Sequence, residues 1–321
     1  MLLRALFRFL TVPLTAGCFA SSALAVVVAG TTGNTTAPVD NPGWLNVGSC
    51  NSASAVYLGN RWVLTAYHVN AGGGFPVVFN GTVYTPVPGT NTQLTNNGTP
   101  GMSANTDLMV FQINADPGLP PVQLSSTAAV LGDDLLMIGN GLNRQASRTF
   151  WQVAMNAGAN NDTWTETTGA HNVEGFKADT GAAQRWGTND AEFVGLNIND
   201  GVGDVRSFVS LFDDDVGRPN EAQGILGDSG GGVFHKVGAQ WQLSGIMVAV
   251  GTGGNPGFFD NPPADTAAFG QHVTIMADLS FYRNQILALT VPEPSTALLF
   301  GMAAPFTLRR SRSRKGCSPR R

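Results

Sequence analysis

Apolar and polar positions alternate in short runs punctuated by turn residues over most of the chain, and a period of two predicts strands. Ala55-Val56-Tyr57-Leu58 and Trp62-Val63-Leu64-Thr65 flank Gly59-Asn60 and predict a hairpin that ends just before His68. Phe75 to Phe79 and Thr82-Val83-Tyr84 flank Asn80-Gly81, a dipeptide suited to the positive φ angles of a two-residue turn. Leu108 to Ile113 is a continuous apolar run, as expected of a buried strand, and Asp134 to Gly141 predicts another. Val233-Phe234-His235, a Val237-Gly238-Ala239 turn and Trp241 to Val248 predict a second hairpin. Only near the C-terminus does the period lengthen. From Met276 to Leu287 the apolar residues Leu279, Tyr282, Ile286 and Leu287 fall at helical spacing. Pro86 to Asn105 reads as loop, Pro117 to Pro121 as a linker, and Trp151 to Pro219 carries Gly, Asn, Thr and Asp in a pattern that places strands only vaguely.

Composition sharpens this. Forty glycines in 321 residues, with 12% charged, favour β structure with many turns. The formal charge of −4 conceals an asymmetry, because between Val26 and Val291 nine basic residues stand against twenty-one acidic ones. Nucleic-acid binding by such a body is disfavoured, since neutralising phosphates requires a cationic face. Of three cysteines, Cys18 lies near the start and Cys317 in the basic tail, which leaves Cys50 alone in the body without an internal disulfide partner.

Three short stretches carry the chemistry: Thr65-Ala66-Tyr67-His68, Thr106-Asp107-Leu108 and Gly227-Asp228-Ser229-Gly230-Gly231. A serine hydroxyl is a poor nucleophile at neutral pH and needs an imidazole to take its proton and a carboxylate to orient the imidazole. Gly227 permits a backbone turn on which the amides of Gly227 and Ser229 converge as an oxyanion hole. The candidate catalytic residues are therefore His68, Asp107 and Ser229, with no metal and no organic cofactor required. Asp213-Asp214-Asp215 lacks the spaced oxygen ligands of a calcium loop and reads as a solvated acidic turn. His171, His235 and His272 have no clustered partners in the sequence and read as surface or packing residues.

The order His, Asp, Ser resembles the trypsin-like serine protease family with the chymotrypsin fold. Trp62 to His68 is similar to its TAAH segment with Tyr67 in place of an alanine, Gly227 to Gly231 to its nucleophile motif, and the following hairpin and terminal helix occupy the expected places. The likeness spans roughly residues 45 to 289. It implies an all-β fold of two antiparallel six-stranded β-barrels with a C-terminal helix, the junction lying near 117–128. It also implies a primary pocket with Gln223 at its floor. Val248-Ala249-Val250 stand where the family has Ser-Trp-Gly, and Val250 would narrow that pocket toward small or medium apolar side chains. Members are often activated when a fresh apolar N-terminus pairs with the aspartate before the serine, here Asp228. Val26-Val27-Val28-Ala29-Gly30 is either such a terminus or a flexible start.

Both ends look like addresses. Met1 to Ala25 has Arg4 and Arg8, an apolar run and Ala23-Leu24-Ala25, which fits a secretory signal cut by signal peptidase. Cys18 follows Thr15-Ala16-Gly17, where an acylation box would place an apolar residue at position 15. Val291-Pro292-Glu293-Pro294, an apolar stretch from Ala297 to Leu308 and a run of arginines resemble the PEP-CTERM signal of exosortase-processed bacterial envelope proteins. The stretch is short for a permanent span, which needs about 20 apolar residues, and suits transient membrane anchoring. The expected organisation is a signal over 1–25, a protease domain over 26–290 and a sorting segment over 291–321. The protein is then exported to the envelope, surface or surroundings of a Gram-negative-type bacterium, with protein or peptide as substrate. A catalytically silent surface or matrix module of the same fold, or an esterase using the triad, are the alternatives.

Overall fold

The computed structural model describes residues 26–30, 33–154, 163–212, 218, 220–251, 258–261 and 272–291. The leader, the sorting segment beyond Val291 and Asp213-Asp214-Asp215 lie outside them. Among the described residues no helix is long and apolar enough to cross a membrane.

A two-residue strand, β1 (Val27–Val28), comes first. Then β2 (Val47–Cys50), β3 (Ala53–Gly59), β4 (Trp62–Thr65), the short helix α1 (Tyr67–Asn70), β5 (Val77–Phe79), β6 (Thr82–Tyr84), β7 (Thr92–Thr95) and β8 (Asn105–Gln112) build the N-terminal half. Their sheet has the order β6-β5-β2-β3-β4-β8-β7, antiparallel throughout. Two-residue turns set its register. Asn51-Ser52, Asn60-Arg61 and Asn80-Gly81 all have positive φ, the backbone twist that matches a right-handed hairpin. The second of these turns is one residue later than Gly59-Asn60, because Gly59 remains in β3.

The C-terminal half holds β9 (Asp134–Gly139), β10 (Leu142–Arg144), β11 (Thr149–Ala154), β12 (Thr163–Glu166), β13 (Val173–Phe176), β14 (Ala178–Ala182), β15 (Arg185–Asp190), β16 (Phe193–Asn199), β17 (Asp204–Leu211), β18 (Ala222–Gln223), β19 (Gly232–Val237), β20 (Gln240–Val250), β21 (Phe258–Asn261), β22 (Val273–Asp278) and the helix α2 (Leu279–Thr290). Seven of these strands form a second sheet in the order β15-β9-β19-β20-β22-β17-β16. A four-stranded sheet, β12-β11-β13-β21, and the pairs β1-β18 and β10-β14 complete the set. The fold is mostly β, as expected. Its hydrogen bonding groups the strands as two seven-stranded sheets where six-stranded barrels were anticipated, and between β8 and β9 there are only isolated bridges.

One apolar cluster runs through both halves, from Val56, Leu64 and Val110 to Ile138, Phe234 and Ile246, and on to Leu279, Tyr282 and Ile286 of α2. Helix α2 starts three residues later than the Met276 of the sequence reading. Met276, Ala277 and Asp278 pair with β17 and β20 instead, and the Asp278 carboxylate caps the helix by accepting the Ser280 amide at 3.0 Å. Cys50 is a free, buried thiol. Burial pushes its pKa up to about 12, so it packs as a small hydrophobe.

Candidate active site

His68 follows the end of β4 on α1, which begins after Ala66 with extended backbone geometry (φ −67°, ψ 141°). Asp107 lies on β8, the strand that pairs with β4. This pairing brings together two residues 39 positions apart. The Asp107 carboxylate is fully buried and accepts twice from His68, from the backbone amide at 2.8 Å on Oδ1 and from ring Nδ1 at 2.6 Å on Oδ2. Nδ1 is therefore the protonated ring nitrogen, and Nε2 carries the lone pair of a base. The imidazole side chain is 35% exposed. Its hydrogen bond to Asp107 raises the His68 pKa, burial opposes the rise, and the Asp107 and Asp200 charges add to it.

Tyr282 of α2 braces the residue before Asp107. Its hydroxyl donates to Asn96 Oδ1 at 2.9 Å, lies 3.1 Å from Thr106 Oγ1 and accepts the Arg206 amide at 2.9 Å. The residue before Asp107 is thus tied to the terminal helix.

Ser229 sits on the turn between β18 and β19 and is half-buried. The turn is wedged against the first sheet. The Ser229 carbonyl accepts the Ser54 amide at 2.9 Å, and the Gly227 carbonyl accepts the Ser54 hydroxyl at 3.0 Å. A Cβ on Gly230 would meet Ser54 O at 2.0 Å and Thr65 Oγ1 at 2.2 Å. Thr65 is three residues before His68, so the serine turn and the histidine helix share one wall. The Asn51-Ser52 hairpin braces both, with Asn51 Nδ2 on the Val69 carbonyl at 2.9 Å and Ser52 O 2.9 Å from the Cβ position of Gly227.

Gly227 has φ +96° and Gly230 φ +85°, a conformation that side chains rarely adopt. The amides of Asp228, Gly230 and Gly231 donate to Ile225, Met247 and Asp228 carbonyls. Those of Gly227 and Ser229 donate to nothing among the described residues, nor does the Ser229 hydroxyl bond to His68. The structure therefore pairs His68 with Asp107, sets the serine turn beside them and leaves two turn amides without an acceptor among the described residues.

Asp228 is fully buried beneath the turn. Its Oδ1 accepts Gly141 N at 2.8 Å, and its Oδ2 accepts Ile225 N at 2.8 Å and Val26 N at 3.2 Å. Burial is the dominant effect and pushes its carboxyl up to about 7 against those donors and the Arg185 charge. Val27 and Val28 pair with Gln223 and Ala222 in β18. The start of the described chain is therefore seated in the second half, under the serine turn.

Among the pocket candidates, Gln223 and Val248 are buried and Val250 is half-buried. Gln223 pairs with Val27 of β1, with Nε2 3.5 Å from Gly251 O and 3.4 Å from Val273 O, and among the described residues its Oε1 has no partner. Val250 Cγ1 stands 3.0 Å from the Cβ position of Gly224, so a branched side chain fills the space beside that glycine.

A second Ser, His and Asp come together elsewhere. Ser125 Oγ is 3.0 Å from His235 Nε2, and His235 Nδ1 is 3.4 Å from Asp133 Oδ2. His235 thus has clustered partners, contrary to the sequence reading; they come from the β9 approach, which pairing with β19 brings alongside. This group lacks a usable nucleophile. Ser125 is fully buried and its hydroxyl donates to Thr127 O at 2.8 Å, so the imidazole must donate to it rather than take its proton. His171 stacks on Phe150 with ring centroids 4.5 Å apart, and His272 is buried, which lowers its pKa. Among the described residues no three His, Cys, Asp or Glu side chains are grouped to hold a metal.

Residues 53–196 match the trypsin-like peptidase domain family. The matched stretch is less than half of the chain. It contains His68 and Asp107 and ends before the serine turn. No curated protein matches the chain. Similar solved structures include the Rv3671c protease in an inactive form, at 13% identity over 77% of this chain and 90% of that one with a TM-score of 0.40. They also include a mutant of Rv3671c from M. tuberculosis H37Rv, likewise inactive, at 12% identity over 84% and 99% with a TM-score of 0.43. A third is neuropsin, a serine protease expressed in the limbic system of mouse brain, at 14% identity over 80% and 97% with a TM-score of 0.43. Likeness at this distance assigns neither activity nor substrate.

Proposed function

We propose that the chain is an exported serine endopeptidase that cleaves peptide bonds through an acyl-enzyme. The observation that carries this reading is the 2.6 Å bond between His68 Nδ1 and buried Asp107 beside a serine turn with two unused amides. Ser229 attacks the carbonyl carbon. His68 Nε2 takes the hydroxyl proton and later delivers it to the leaving amine, while Asp107 fixes the tautomer and stabilises the imidazolium. The Gly227 and Ser229 amides receive the negative charge that grows on the carbonyl oxygen, and losing one such donor typically costs roughly 3 kcal/mol of transition-state stabilisation.

The seated Val26 segment supports activation by cleavage after Ala25, which would place a new α-amino group on Asp228. The filled space beside Gly224 supports a preference for small or medium apolar side chains over Arg or Lys. Signal peptidase at the N-terminus and exosortase at the C-terminus remain the processing partners this reading requires, with anchoring through 291–321 transient.

The test is fluorophosphonate labelling of the mature protein, with casein and ester substrates assayed side by side. Labelling and casein cleavage that both disappear in Ser229→Ala support the endopeptidase. Ester turnover without casein cleavage points to the esterase. No labelling of a folded protein, cut at Val26, points to the silent module.

A further inference from the structure

The carboxylate that holds His68 has an unexplained neighbour. Asp200 follows β16, and the β16–β17 turn that carries it crosses from the second half to the start of β8. Asp204 locks that crossing: its amide donates to Ser103 Oγ at 2.7 Å, its carbonyl accepts Asn96 Nδ2 at 2.8 Å, and its carboxylate accepts the Ser103 amide at 2.5 Å. Gly203 packs so closely that a Cβ there would stand 2.6 Å from Asn105 O. Asp200 is consequently held near Asp107, whose charge acts on its carboxyl.

The two oxygens of Asp200 are not equivalent. Oδ1 accepts the amides of Val202 at 3.0 Å and Gly203 at 3.1 Å. Oδ2 is buried and has no donor among the described residues. Asp107 in turn takes its donors only from His68 among the described residues. Two neighbouring ionised carboxylates, one with an oxygen that lacks a donor, would repel one another in a poorly solvated site, whereas one shared proton satisfies both.

We propose that Asp200 is a positioning residue of the candidate active site: on the acid side of its titration, protonated on Oδ2, it donates to Asp107, so that the pair carries one negative charge and Asp107 stays aimed at His68 Nδ1. This inference rests on the reading of His68 and Asp107 as base and orienter. Burial first, and then the Asp107 charge, push the Asp200 carboxyl up to about 6, against the two turn amides. The charged groups that face it are Asp107 on β8 and His68 on α1. Asp204 on its own turn is directed at Ser103 and Asn199 instead.

The consequence is a coupled titration. When Asp200 loses its proton, a second negative charge stands near His68 and makes the imidazole harder to deprotonate. Asp200→Asn keeps a hydrogen-bond donor toward Asp107 but removes the charge at every pH. Asp200→Ala removes both.

The experiment is an NMR titration of the His68 ring in the full chain and both variants, with fluorophosphonate labelling rates measured alongside. The expected wild-type curve is broader than a single ionisation. In Asp200→Asn it becomes single-step and moves about half a pH unit or more downward, while labelling at pH 7.5 stays within about threefold. Asp200→Ala has a His68 midpoint above that of Asp200→Asn because Asp107 has lost its donor. A His68 curve unchanged in Asp200→Asn would overturn the proposal even if Asp200→Ala failed to fold. So would a wild-type curve that shifts on adding EDTA or calcium, which would put a cation rather than a proton between the carboxylates. The ring titration does not depend on turnover. A chain that fails to label yet shows these shifts would sink the protease reading and leave the shared proton standing.

Discussion

Cutting the bond before Val26 changes the charge under the serine turn, and the size of the change follows from the structure. In the intact chain Val26 offers Asp228 Oδ2 a neutral amide at 3.2 Å. Burial holds the Asp228 carboxyl up at about 7, from an ordinary 3.8. At about 1.4 kcal/mol per pH unit, that shift is a penalty of roughly 4 kcal/mol against the ion. An ammonium at the same separation attracts the carboxylate by roughly 5 kcal/mol at an effective dielectric of about 20. Burying the ammonium costs part of this gain, so a net gain on the order of 2 kcal/mol, about thirtyfold in the ratio of ionised to neutral carboxyl, is expected. The assay compares a chain beginning at Val26 with the same chain acetylated at Val26, by fluorophosphonate labelling of Ser229 between pH 5 and 9. The free terminus should label about eightfold faster near pH 6, and lose that advantage at alkaline pH as the amine deprotonates. The stability of the acetylated chain should also fall as pH rises from about 4 to 7. The sign is set by the raised pKa, since the folded carboxyl binds its proton more tightly than the unfolded one. Equal labelling rates for the two chains at every pH would refute the reasoning.

Three further outcomes are expected. Because the bond to Asp107 raises His68 above its ordinary 6.5, the acid limb of kcat/KM should have its midpoint above 6.5, and a profile flat to pH 5 would exclude His68 as the base. Gly230→Ala should lower the urea midpoint and abolish labelling, because its Cβ would meet backbone at Ser54 O 2.0 Å away in a left-handed conformation; a loss of several kcal/mol is expected, and an unchanged midpoint would show that the Ser54 wall yields. Val250→Gly should empty the space beside Gly224 and admit larger side chains in a peptide-library profile, with a change of about 1–3 kcal/mol in discrimination.

How much of this is legible in the sequence depends on whether a strand buries apolar side chains of its own. The strands from Ala53 to Thr65 and from Gly232 to Val250 announce themselves because apolar residues and left-handed turn residues agree. Thr92–Thr95 does not, since only Leu94 of its four residues is buried; it was read as loop, yet it is the edge strand beside β8. Between Trp151 and Pro219 the pattern fails for the same reason. Ala178–Ala182 is exposed at every position and Phe193–Asn199 at every second one, so their pairing depends on partners rather than on an apolar stripe of their own. The late start of α2 was discoverable: Asp278 followed by Ser280 is a capping signal, but the continuous apolar run through Met276 masked it.

The site divides along the same line. His68, Asp107 and Ser229 could be found because each stands in a local motif whose order along the chain is informative. Asp200 could not, because nothing around Asp200-Gly201-Val202-Gly203 distinguishes a carboxyl aimed at another carboxyl from an ordinary turn aspartate that bonds its own loop amides. It does bond them, through Oδ1. Only the passage of the β16–β17 turn across to β8, fixed by Asp204 on Ser103, brings the other oxygen to Asp107. Asp133 beside His235 escaped notice for a parallel reason, as strand pairing supplied the neighbour. Motifs identify groups that could do chemistry; the fold decides which charges surround them, and those charges set the pH at which the chemistry runs.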